Sequence, residues 1–299
     1  MSKIQTKFEA KYLVMTTLAP ILWSLGGLGV RSVSVNSWTI IFTRSISMSL
    51  TVSILCLILY KKNFIVEFKK LGKEGLIISF FLGITTFFYI LSLSKTTVAN
   101  ALLVQGTAPI WAAIFATLFL KEKFKLPIWI TILTAFVGMM ILVFNKDLKI
   151  HLLGDFYALL TAFGLAFQIL LVRNNPHINL IPATVIGGLF AAFFSLFFKP
   201  SFIISYHDLL ILLGLGAFQI GLGYILFYRG SRYLPTSLTG LITLLETILG
   251  PIWVYLVFKE NINQNSLIGG SVILFSLIVN IILTSRYEKR KLVITNSTR

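Results

Sequence analysis

LTGLITLLETILGPIWVYLVF, Leu238–Phe258, is an apolar run with one carboxylate, Glu246, near its middle, and the reading of that acid decides the fold. At about 1.5 Å per residue such a helix is long enough to cross the roughly 30 Å hydrocarbon core of a bilayer. Glu246 then lies at depth. An ionisable group there costs on the order of several kcal/mol unless it is protonated, paired or facing water, so it marks a functional site by default. Pro251, which lacks an N–H, is expected to disturb the helix one turn past the acid.

The rest of the chain has the same character. Hydrophobic residues make up 57% of the 299, charged residues 12%, and the mean hydropathy is +0.89. That balance belongs to a polytopic membrane protein. The formal charge of +16 would suit a nucleic-acid partner if it lay on one soluble face. Here the Lys and Arg form short clusters between apolar runs, as membrane topology requires and nucleic-acid binding does not. Cys56 is the single cysteine and lies inside an apolar run, which excludes an intrachain disulfide and CxxC chemistry. His151, His177 and His207 are too scattered for a metal site, and no cofactor is expected. The basic N-terminus leads into a span without a small-residue cleavage site, so no removed signal peptide is read.

Ten apolar runs follow in order: about Tyr12–Val30, Trp38–Tyr60, Gly75–Ser94, Ala99–Leu120, Ile128–Phe144, Gly154–Val172, Pro182–Phe198, Leu209–Arg229, Leu238–Phe258 and Leu267–Thr284. With the N-terminus inside, the inner segments carry 19 Lys and Arg, in clusters such as Lys61, Lys62, Lys69, Lys70 and Lys73, and the outer ones carry 6. This bias places both termini in the cytoplasm and the protein in a plasma membrane, the inner membrane of a bacterium.

An internal repeat organises these runs. Shifting the chain by 138 lays Ala112–Phe124, AAIFATLFLKEKF, over Gly250–Ile262, GPIWVYLVFKENI. The same shift places Gln105 on Thr243 and Ala108-Pro109 on Glu246-Thr247. Five runs per half is an odd number, so the second half enters from the opposite side. The expectation is two inverted five-helix repeats, residues 1–150 and 151–286, with a tail at 287–299. Such architectures hold their ligands at the repeat interface near the midplane.

The order and spacing of "FTR" in the second run, "FLKEKF" and "VFKENI" after the fourth and ninth, "GDFYALLTAFGLAFQILLVR" in the sixth and "RYLPTSLTGLITLLE" entering the ninth resemble the EamA family of the drug/metabolite transporter superfamily. The resemblance covers nearly the whole chain. It implies a carrier that moves small metabolites, often an amino-acid exporter, without an ATPase domain. It also implies a central cavity lined by the first, third, fourth, sixth, eighth and ninth helices. Where the family often pairs Glu with Pro in the fourth and ninth helices, this chain has Ala108-Pro109 and Glu246-Thr247. That departure leaves one acid at the pseudo-symmetric position.

Helical spacing puts Thr239, Thr243, Glu246, Gly250 and Trp253 on one stripe, whose repeat mate is Ala101, Gln105, Ala108 and Ala112. Glu246 is read as a cavity residue and the coupling group, against the plainer reading of a buried acid paired with Arg44. Arg44 is either a tie between helices or an anion contact. Gln168 and Gln219 either hydrogen-bond a zwitterionic ligand or a neighbouring backbone. Trp23, Tyr89, Trp111, Tyr224, Tyr228 and Trp253 are candidate walls, with ordinary packing as the alternative. Pro109, Gly250 and Pro251 are candidate hinges. The leading function is a secondary transporter working by alternating access, with protons a candidate coupling ion. A channel or facilitative pore is the alternative. An intramembrane enzyme lacks a nucleophile–base pair or clustered metal ligands at depth.

Overall fold

Residues 10–96, 98–143, 151–259 and 264–297 are described by a computed structural model, and the regular structure among them is entirely helical. Apolar segments in lipid must satisfy every backbone N–H and C=O within themselves, which leaves the helix as the solution for these runs. In chain order the helices are α1 (Ala10–Trp23), α2 (Leu25–Arg31), α3 (Ser37–Tyr60), α4 (Phe64–Lys69), α5 (Gly72–Lys95), α6 (Val98–Gln105), α7 (Ala108–Phe119) and α8 (Leu126–Val143). The second half continues with α9 (Leu152–Asn174), α10 (Ile181–Leu196), α11 (Tyr206–Gly214), a π-helical segment (Leu215–Leu222), α12 (Gly223–Ser231), α13 (Thr236–Thr243), α14 (Leu245–Phe258) and α15 (Gln264–Ser297).

Among the described residues, eight stretches are long and apolar enough to cross a membrane. The fifth and seventh runs instead form the shorter apolar helices Leu126–Leu142 and Ile181–Leu196. Both are shorter than the usual span of about 20 residues, so by length eight of the ten expected runs stand as candidate spans among the described residues. Exposed Leu50, Ile54, Leu57 and Ile58 recur at helical spacing along α3, while Ile41, Arg44, Ser45, Met48, Val52 and Cys56 are buried on its other face.

The closest helix pairings all cross from one half of the sequence to the other. Alongside α5 with α10 and α3 with the π-helical segment, they join α1 to α12, α3 to α10, α5 to α9, α7 to α13 and α8 to α15. Exchanging each run with the one five places along returns the same set, so the halves interlock. A Cβ on Gly138 would come within 3.0 Å of the Gly269 carbonyl, which shows how closely α8 and α15 approach. The backbone repeats as well. α6 and α13 begin at Val98 and Thr236 and end at Gln105 and Thr243, each pair 138 apart. Four lysines take positive φ, at Lys61 (47°), Lys121 (54°), Lys199 (51°) and Lys259 (57°), and they too fall into two pairs with that spacing. Left-handed residues commonly terminate helices, and a basic side chain there suits the negative end of the helix dipole.

Polar ties join the halves at both ends of the bundle. At one end Glu122 receives Arg173 Nε at 3.4 Å and Thr236 Oγ1 at 2.8 Å. At the same end, within the second half, Arg232 Nη1 donates to the Pro176 carbonyl at 3.2 Å. At the other end Ser34 Oγ donates to Asp208 at 2.8 Å, and Thr96 Oγ1 donates to Asp155 at 2.9 Å. Both aspartates begin helices, as their sequence positions imply. They also hold the opposite half.

Candidate functional site

The fourth and ninth runs are each broken in the middle, and the site forms where the breaks meet. Pro109 has no N–H to return to the Gln105 carbonyl, so α6 stops at Gln105 and α7 restarts at Ala108. In the ninth run the interruption is the single residue Leu244, and Glu246 is the second residue of α14. The expected disturbance past Glu246 is thus corrected. α14 runs on through Pro251, and the break precedes the acid. The Pro251 side chain lies outside the described set, and a Cβ on Gly250 would meet nothing within 4 Å.

Glu246 is buried, 7% exposed. Gln105 Nε2 lies 3.5 Å from its Oε2, and Tyr89 lines the same cavity. These groups open onto a cavity lined by Trp23, Arg44, Thr85, Thr86, Tyr89, Gln105, Thr161, Leu165, Gln219, Ile220, Tyr224 and Glu246. The lining comes from the first, second, third, fourth, sixth, eighth and ninth runs. A concave site with a few convergent polar groups is the usual setting for a small molecule.

Two further irregularities in the helices supply the opposite wall. The first run breaks at Ser24, just after Trp23, and Gln219 in the π-helical segment donates to the Trp23 carbonyl at 3.0 Å. π-Bulges inside α-helices recur at functional sites. Gly223 lets the Trp23 indole lie against the eighth run, where any Cβ would collide with the ring. Trp23 also packs against Tyr224 and Phe227, with centroids 4.9 and 5.2 Å away. Several cavity groups are buried without a hydrogen-bond partner: Trp23 Nε1, Arg44 Nε and Nη1, Gln105 Oε1 and Gln219 Oε1. Buried polar atoms are otherwise almost always satisfied, so this concentration points to a ligand's place.

Of the residues singled out in the sequence, the cavity gathers Glu246, Gln105, Gln219, Trp23, Tyr89, Tyr224 and Arg44, and leaves others aside. Gln168 is taken up by Thr85 Oγ1 at 2.8 Å and by the Tyr228 hydroxyl at 3.1 Å, a tie among three runs. Thr243 Oγ1 bonds its own helix at the Gly240 carbonyl, 2.6 Å away, and Thr239 is buried off the cavity wall. Trp253 Nε1 donates to Ser24 Oγ at 2.8 Å, linking α14 to the break in the first run. Trp111 is held by Thr107 Oγ1 at 3.2 Å and by Phe163. Sequence reasoning missed Thr85, Thr86, Thr161, Leu165 and Ile220. Thr85 and Thr86 lie one turn before Tyr89, the one signal that could have found them. Among the described residues no group of three or more His, Cys, Asp or Glu is placed to hold a metal ion.

A description of the EamA-like transporter family matches this chain twice, over residues 10–144 and 152–282. The chain is 29% identical over 115 residues to "Uncharacterized transporter YdfC" of Bacillus subtilis (strain 168). That match covers 36% of this chain and 38% of the relative's length. A crystal structure of a protein superposes with a TM-score of 0.78 at 16% identity, over 94% of this chain and 99% of the other, a likeness of fold.

Proposed function

The chain belongs to the EamA-like transporter family of the drug/metabolite transporter superfamily, and on that premise we propose that it is a secondary carrier exporting small amine-bearing solutes, amino acids and their relatives. The observation that carries this reading is Glu246, a carboxylate buried beside Gln105 and Tyr89 in a cavity built at two helix breaks. A carboxylate in low dielectric binds an ammonium strongly, and proton binding at the same group couples solute movement to the proton gradient. Discontinuous helices at corresponding positions of two halves are the usual setting of such sites in secondary transporters.

The transport cycle in this reading is alternating access, with the interlocked helix pairs rocking about the breaks at Gln105 and Leu244. The recurrence at 138 residues, the cross-half pairings and the two family matches support two inverted repeats, residues 1–150 and 151–286, and the Lys and Arg bias between the runs supports both termini cytoplasmic in a bacterial inner membrane. Export is preferred because the family commonly exports. The test is counterflow into proteoliposomes across a panel of amino acids, with and without an imposed pH gradient. Saturable exchange of a labelled amino acid is the expected result. Flux that never saturates would favour a pore instead.

A further inference from the structure

We infer that Arg44 is the anion half of the binding site, so that the solute carried must present a carboxylate as well as an ammonium group. The inference rests on the carrier reading and narrows its substrate class to zwitterions. Arg44 lies within α3, is 2% exposed and reaches the cavity wall. Two of its three guanidinium nitrogens, Nε and Nη1, are buried with no hydrogen-bond partner. A guanidinium stays protonated even when buried, and protein interiors normally pair such a charge or satisfy its donors. Burial rules out snorkelling to the surface, and a structural tie would use these donors.

Glu246 is the obvious counter-ion, yet neither of these nitrogens bonds it. Tyr89 lies beside Arg44, its ring 5.9 Å from Arg44 Cζ, and lines the same cavity as Glu246. A collapsed ion pair would neutralise both groups and offer a solute little. Held apart in one cavity, the same groups present a cation to a carboxylate and an anion to an ammonium. The unpartnered atoms are sorted the same way. Arg44 offers donors, while Gln105 Oε1 and Gln219 Oε1 add acceptors to those of Glu246.

The test is competition against counterflow of the best-exchanged neutral amino acid in proteoliposomes. The competitors are that amino acid, its carboxamide, which lacks the negative charge, and its N-acetyl derivative, which lacks the positive one. Both derivatives are expected to compete at least about tenfold more weakly than the amino acid itself. Arg44→Gln is expected to weaken the amino acid about 10- to 100-fold and leave the carboxamide unchanged. Arg44→Lys, which keeps the charge, is expected to retain part of the discrimination and covers the case in which the Gln variant does not fold. A carboxamide that competes as well as its amino acid in the wild type, or an Arg44 variant that weakens both equally, overturns the assignment and leaves the carrier reading standing. Absence of saturable exchange of any amino acid overturns both.

Discussion

The fourth and ninth runs share a backbone and differ in chemistry. α6 and α13 start and stop at positions exactly one repeat apart, and each is followed by an interruption before the next helix. In the fourth run Pro109 causes the break; in the ninth Leu244 interrupts the helix without a proline, while Pro251 lies inside α14 and breaks nothing. The amide of Gln105 and the methyl of Ala108 stand where the other half carries Thr243 and Glu246. What recurs is the helix interruption, and what does not recur is the charge. Motion in this reading belongs to both halves, and ion binding to one.

The largest effect is expected from erasing the difference. Glu246→Gln gives the two breaks matching amides, and counterflow is expected to fall about 10- to 100-fold with loss of its dependence on an imposed pH gradient. Transport with unchanged pH dependence would remove Glu246 as the coupling group. Moving the charge to the other half, in the double variant Gln105→Glu with Glu246→Gln, is expected to restore roughly a tenth of wild-type exchange, since the two side chains already touch. A double variant no better than the single one would mean that the position of the acid matters as much as its presence.

Healing one break comes next. Pro109→Ala returns an N–H to the Gln105 carbonyl, and is expected to raise the melting temperature of the detergent-purified protein while slowing exchange a few-fold. Faster exchange would argue against the break as a hinge. The smallest change is expected at Thr243, whose hydroxyl is spent on Gly240: Thr243→Val is expected to alter exchange less than about twofold.

The sequence made the helical class legible because membrane-length apolar runs admit few alternatives, and it exposed Glu246 because a carboxylate is conspicuous among Leu and Ile. Gln105, Gln219 and Tyr89 were legible for the same reason. Gln168 shows the limit: it is an amide at similar depth, but Thr85 and Tyr228 take up its hydrogen bonds, and nothing in its own run foretells that. Thr161, Leu165 and Ile220 reach the cavity through the rotation of their helices, which packing between distant runs decides. In the sequence Arg44 reads equally as a tie or a ligand contact, and its two buried nitrogens without partners are what support the second reading. The position of the break in the ninth run also escaped prediction, because Pro251 was the visible breaker and Leu244 carries no signal.

Site-directed labelling of the cavity wall tests the central claim most directly. In a Cys56→Ala background, Thr86→Cys places one thiol on that wall. Labelling by a small maleimide in proteoliposomes is expected to slow as the exchanged amino acid is added, with half-protection at the concentration that half-saturates counterflow. A labelling rate that ignores the amino acid while counterflow proceeds would place the transport site elsewhere and contradict the account.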